Sequence, residues 1–217
     1  MTGLMRLLGA GIVCAALVVS VPALAGAKSN GTICNGTLPS GSYKKVSVPD
    51  GAVCFVETPV TIRGGLWIGS GATFVAGDQE LPGDNGTISG GVHAKGAASV
   101  QIHFMTINGG IDIHGGAGPF SDLFGVTFNA IEDNQINGGV TIDGYNGFWF
   151  GFIRNHVNGS VNLNNNVLAD PDGNEYVTNV IHGSLKCSGN SPAPQVGDSE
   201  GSPNQVTGAK TGQCAAV

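Results

Sequence analysis

The sequence predicts an all-β solenoid of about six or seven turns, and three observations carry that prediction. An octet recurs six times, as TIRGGLWI, TISGGVHA, TINGGIDI, QINGGVTI, HVNGSVNL and VIHGSLKC, with its first glycine at Gly64, Gly90, Gly109, Gly138, Gly159 and Gly183. Within each octet apolar and polar residues alternate, the period of a strand with one buried face. Glycine accounts for 37 of 217 residues and charged residues for only 11%, against usual shares of about 7% and about 25%. That balance excludes a disordered chain, which needs high charge and few apolar residues. The absence of a strict three-residue glycine period excludes collagen.

From the N-terminus, residues 1–27 read as a secretion signal peptide. Arg6 precedes an apolar run from Leu7 to Val21, and the small-residue triplets ALA and AGA follow Pro22. The run is shorter than the roughly 20 residues a membrane span requires. The mature chain is therefore expected to be extracellular, released or associated with the cell wall. Residues 28–57 are expected to form an N-terminal cap and the first strands, 58–187 the β-helix repeats, and 188–217 a C-terminal cap or tail. Covers are needed because the ends of a solenoid are open strand edges. Four cysteines follow the signal, two near each end. Their even number and their positions predict the disulfides Cys34–Cys54 and Cys187–Cys214. Each is worth roughly 3 kcal/mol in the chain-entropy description.

The octets are spaced 26, 19, 29, 21 and 24 residues apart, one unit per turn of a solenoid. Each octet is expected to be one strand of a turn, bent at its Gly-Gly or Gly-Ser pair. Leu66, Val92, Ile111, Val140, Val161 and Leu185 point inward, as do Ile68, Ala94, Ile113, Ile142, Leu163 and Cys187. Asn108, Asn137 and Asn158 precede the bend and stack as a polar ladder. A second strand lies between octets, in SVQIHF, LFGVTF and GFWFGF. There Phe104, Phe128, Phe152 and Tyr176 recur at equal steps of 24 and are expected to form an internal aromatic row.

These repeats resemble the single-stranded right-handed parallel β-helix of the pectin-lyase-like superfamily. The ending GSLKCSGNSPAP…GQC is similar to secreted bacterial proteins of that architecture. The resemblance implies shape rather than chemistry. The Asn-Thr-Asp, Asp-Asp, Gly-His-Gly and Arg-Ile-Lys motifs of polygalacturonase-type hydrolases are missing. So is the basic residue in a calcium-binding carboxylate cluster that pectate lyases use: beyond Arg6 the chain has only Arg63 and Arg154, neither in such a motif.

What remains for chemistry is the outward side of the octet strand. One row reads Trp67, His93, Asp112, Thr141, Asn162, Lys186, and the next Gly69, Lys95, His114, Asp143, Asn164, Ser188. His93, Asp112, His114 and Asp143 are the candidate catalytic residues. Asp112 and Asp143 would stand about 8 Å apart, within the range of about 6.5–9.5 Å for an inverting glycosidase. Trp67 and Trp149 are the candidate carbohydrate-stacking residues. Asp170, Asp172, Asn174 and Glu175, in ADPDGNE, are candidate calcium ligands, as are Asp78, Glu80 and Asp84 in an earlier loop. His103, His156 and His182 read as structural or surface residues. A net charge of −6 with few Lys and Arg makes the chain a poor candidate for nucleic acid or an anionic membrane surface, and no membrane insertion of the mature chain is expected. The expectation is a non-catalytic binding or structural module, without a cofactor unless calcium binds, meeting a polysaccharide or another cell-envelope component. The alternative is a polysaccharide lyase or glycoside hydrolase.

Overall fold

The computed structural model describes residues 31–77, 83–116, 128–197 and 201–217; the segment expected to be a secretion signal lies outside them. The fold is all-β, three sheets of stacked parallel strands with nine, seven and eight members. Each full turn visits the first, second and third sheet in order. The first sheet contains Leu66–Ile68, Val92–Lys95, Ile111–His114, Val140–Asp143, Val161–Asn164 and Leu185–Ser188. All twelve residues expected to point inward from these strands are buried, because successive side chains of a strand alternate between its faces.

Three strands per turn, rather than the expected two, correct the reading of the octet. Each octet holds two strands on different sheets, as in Thr106–Asn108 of the third and Ile111–His114 of the first. Gly109 and Gly110, with φ of 112° and 82°, turn the chain between them. Successive turns approach closely here. A Cβ on Gly90 would lie 2.5 Å from the carbonyl carbon of Gly64, so the glycine pair is a spatial requirement as well as a conformational one.

The aromatic row is also corrected. Along the second sheet the register is Ala76, Ile102, Ile131, Phe152, Tyr176. Only Phe152 and Tyr176 of the expected four are neighbours in it. Phe104 stands in a corner with φ of 53°, and Phe128 is paired with Trp149. Turns differ in length between their strands, so equal steps in sequence do not mean equal positions in space.

The stacked strands continue into both end segments. Thr32–Ile33 and Val46–Val48 extend the first sheet at one end, and Lys210–Gly212 extends it at the other. Cys34–Cys54 and Cys187–Cys214 are the disulfides present. The first joins two successive turns, and the second fastens the 3-10 helix Gln213–Ala216 to a first-sheet strand.

Asparagine ladders line the corners. The exposed one is present: Asn137 donates to Asn108 at 2.8 Å and Asn158 to Asn137 at 2.7 Å. A second, buried ladder runs through Asn134, Asn155, Asn179 and Asn204, where the chain leaves the second sheet for the third. Each Oδ1 accepts the backbone N–H of the preceding turn: Met105 to Asn134, Asn134 to Asn155, Asn155 to Asn179 and Asn179 to Asn204, at 2.9–3.1 Å. Each Nδ2 donates to a second-sheet carbonyl, on Ile102, Ile131, Phe152 and Tyr176. Asp133, Arg154 and Thr178, just before three of these asparagines, have φ between 55° and 59°. That conformation costs roughly 1 kcal/mol per residue. The several ladder bonds, at about 1 kcal/mol net each, offset it.

Asn155→Ala is expected to lower unfolding stability by about 3 kcal/mol, because it removes the acceptor of the buried Asn134 amide and the bonds that Asn155 Nδ2 makes to the Ile131 carbonyl and to Asn179. Asn158→Ala, on the exposed ladder, should change it by no more than about 0.5 kcal/mol. Denaturant unfolding of the two variants checks the contrast. Equal effects would show that burial does not distinguish the ladders.

Candidate functional site

The outward face of the first sheet carries the sequence-predicted residues. Strand register puts Trp67 beside His93, His93 beside Asp112, and His114 between Lys95 and Asp143. The side chains then sort themselves differently. His114 Nε2 lies 2.9 Å from Asp112 Oδ1, with both side chains about half exposed, at 50% and 54%. Asp143 accepts a 2.8 Å hydrogen bond from Asn165 Nδ2, and Ser188 donates to Asn164 at 2.9 Å. His93 turns away from Asp112 and stacks on Trp67, ring centroids 5.3 Å apart and planes 28° apart. The four residues are thus brought to one face but split into separate contacts.

Trp67, also on this face, is 37% exposed. Its indole packs over Gly65, where a Cβ would come within 2.8 Å of the ring. Lys45 Nζ sits 3.8 Å from the ring centroid, a cation–π contact made from the preceding turn. Trp149, on the second sheet, is engaged otherwise. It folds against Gly151, meets Phe128 edge-on at 6.2 Å and donates from Nε1 to Glu175 Oε1 at 2.8 Å.

The residues of the ADPDGNE segment are not brought to one point. Asp170 Oδ1 caps the Asp172 amide in a tight turn. Asn174 points into the solenoid, donating to the carbonyls of Asn166 and Pro192 and accepting from the Tyr176 hydroxyl. Glu175, next along the strand, faces the opposite way toward Trp149. Of the earlier acidic loop, Asp78 and Glu80 lie outside the described residues, and Asp84 Oδ1 accepts from the Gly86 amide. Among the described residues no group of three or more His, Cys, Asp or Glu is placed to hold a metal.

Sequence reasoning missed a buried charged cluster on the outward side of the second sheet. His103, Glu132 and Glu175 are buried there. Glu132 lies 3.8 Å from His103 Nδ1 and 3.4 Å from Arg154 Nη2. Arg154 also makes two 2.7 Å bonds to Asp133, which raise its pKa. Glu175 Oε2 is buried with no hydrogen-bond partner. Burial pushes the Glu132 carboxyl up from its usual value near 4.5 to about 7; Arg154 opposes the rise, and Asp133 and Glu175 reinforce it. The register clue was available: His103 and Glu132 are paired, each at the last outward position of its strand.

Because the folded state raises this carboxyl's pKa, it holds a proton that the unfolded state has released. Its contribution therefore favours folding below pH 4.5 and is lost as pH rises toward 7. The shift corresponds to roughly 3 kcal/mol. Glu132→Gln is expected to flatten this slope and to exceed the parent in stability at pH 8, since Arg154 keeps Asp133. Denaturant midpoints from pH 4 to 8 measure it; identical slopes in parent and variant would clear Glu132 of the effect.

No protein-family model matches the chain, and no curated protein or solved structure matches it either. A functional reading of this molecule therefore rests on its geometry and chemistry.

Proposed function

We propose that the chain is a secreted, non-catalytic β-helix that presents the outward face of its first sheet to a polysaccharide of the cell envelope. The observation that carries this reading is the pair of in-register rows on that face. They combine one exposed indole with hydroxyl, amide, imidazole and carboxylate groups. Such a surface offers donors, acceptors and a stacking plane to a ligand rich in hydroxyls. It repeats at about 4.8 Å per turn, which suits a polymer better than a single small molecule. Two disulfides favour an oxidising compartment, and among the described residues no helix is long and apolar enough to cross a membrane. The right-handed, pectin-lyase-like form of the solenoid belongs to this proposal too, supported by the usual hand of parallel crossovers.

A second reading, a carbohydrate-active enzyme, draws on the 2.9 Å His114–Asp112 contact with Asp143 in the same row as His114. Against it, both carboxylates are engaged by neighbours on an open sheet face. The paired carboxyl groups of a glycosidase flank the scissile bond from both sides, which an open face does not provide.

Affinity electrophoresis of the oxidised protein through gels containing neutral and acidic polysaccharides, with and without calcium, tests the proposal. Retardation by at least one polymer is expected, with no reducing-end or unsaturated product. Trp67→Ala should weaken the retardation about tenfold, the effect of losing roughly 1.4 kcal/mol of stacking. Lys45→Ala should preserve or strengthen it, since a sugar ring reaches the indole by displacing that flexible side chain. Unretarded migration in every gel would end the carbohydrate reading. Product formation abolished by Asp112→Asn with Asp143→Asn would replace it with the enzyme.

A further inference from the structure

The third sheet carries an arrangement that the polysaccharide reading does not use. We propose that His156 and His182 form a two-imidazole site for a late first-row divalent cation, Cu(II) in the first place. His156 lies in the strand His156–Val157, paired with Val180–Ile181 of the next turn, and His182 follows directly. Both histidines are on the outward side, His182 exposed and His156 half-buried. Their Nε2 atoms stand 3.0 Å apart, and the rings are nearly perpendicular, at 84°.

That separation suits a shared metal. Two neighbouring ligands at right angles, each bonded at about 2.0–2.1 Å, are about 2.9 Å apart, whereas tetrahedral ligands are about 3.3 Å apart. The observed spacing lies near the right-angle value, the tetragonal preference of Cu(II) and Ni(II), and Cu(II) leads the affinity order for nitrogen sites. Without metal, the contact is a hydrogen bond in which one Nε2 donates a proton and the other accepts it. A cation would take the place of that proton, each Nε2 offering its lone pair.

The surroundings preset the tautomer this requires. Asn158 Nδ2 donates to Asn137 Oδ1, and Asn137 Nδ2 donates to Asn108 Oδ1, so the amides of this ladder share one direction. Gln135 Nε2 donates to that same Asn137 Oδ1 at 3.3 Å, so Gln135 Oε1 is the atom 2.7 Å from His156 Nδ1. A carbonyl oxygen only accepts. The proton of neutral His156 therefore sits on Nδ1, leaving the lone pair of Nε2 toward His182. This is the outer hydrogen bond by which metal-binding histidines are commonly oriented. The surface ladder that stacks the turns thus also aims the ligand. Water would complete the coordination on this open face, and with no third His, Cys, Asp or Glu grouped there among the described residues the site is exchangeable rather than structural.

Cu(II) titration of the full, oxidised protein, followed by electron paramagnetic resonance, tests the proposal. The expected result is about one equivalent bound with the hyperfine pattern of two imidazole nitrogens. His182→Ala, at an exposed position, should remove that pattern while thermal unfolding stays unchanged; His156→Ala should remove it as well. Gln135→Ala should weaken binding about tenfold, and Gln135→Glu, which keeps the acceptor, should restore it. His93→Ala with His114→Ala should leave the signal intact. A two-nitrogen signal that survives His182→Ala, or that disappears only in the His93 and His114 variant, would overturn the assignment. So would failure to bind copper at stoichiometric concentration.

Discussion

Every turn of this solenoid must leave and re-enter three sheets, and at each corner the backbone has polar groups that no strand can satisfy. An unpartnered buried amide or carbonyl costs about 1–3 kcal/mol, and each turn repeats the problem. The chain meets it with asparagine. At the corner from second to third sheet, Asn134, Asn155, Asn179 and Asn204 accept from the backbone of one turn and donate to a second-sheet carbonyl. At the corner from first to second sheet, Asn166 and Asn190 do related work: Tyr145 N–H donates to Asn166 and Asn166 N–H to Asn190, both at 3.0 Å. A ladder bond forms only if adjacent turns are in register, so the corners and the strands enforce the same alignment.

That alignment is what gives the outer surfaces their chemistry. Two faces with the same backbone differ sharply in burial. On the first sheet, Asp112 and His114 remain about half exposed. On the second, the outward residues Gln101, His103, Glu132 and Glu175 are buried. Burial removes water from the Glu132 carboxyl and displaces it toward neutral pH, with Asp133 and Glu175 adding to the rise and Arg154 opposing it. The exposed face is the one proposed to meet a ligand, and the buried one links folding to pH through Glu132.

Much of this was legible in the octets. Their alternation fixed which side chains enter the core, and aligning the glycine pairs placed His93 beside Asp112 and Lys95 beside His114, because parallel register follows directly once one corner is known. The side-chain contacts were not legible. Nothing in the spacing distinguishes His93 stacking on Trp67 from His93 facing Asp112, since both lie one turn away. The buried asparagines were missed because the residues before them vary, Asp133, Arg154 and Thr178, and conceal a shared left-handed backbone. The aromatic row failed for a related reason: the lengths between strands vary, and a constant step of 24 matched the true register only from Phe152 to Tyr176. Likewise His156 and His182 looked scattered along the chain because they meet diagonally across adjacent turns.

The stacking also explains the composition. In register, a residue repeated on successive turns faces its own kind at about 4.8 Å. Two like charges at that distance repel by about 1 kcal/mol in water and several-fold more near a low-dielectric wall. A solenoid therefore favours side chains that can be repeated without repulsion, and Asn, Thr, Ser and Gly qualify. Asn is better still, because its amide donates to one neighbour and accepts from the other. Charges are admitted where an adjacent turn or strand position answers them: Arg154 with Asp133 and Glu132, His114 with Asp112, Lys45 over Trp67. A surface assembled under that rule is rich in neutral donors and acceptors and has few free charges. The neutral character of that surface, on which the proposed polysaccharide binding relies, thus comes from the same constraint that holds the turns together.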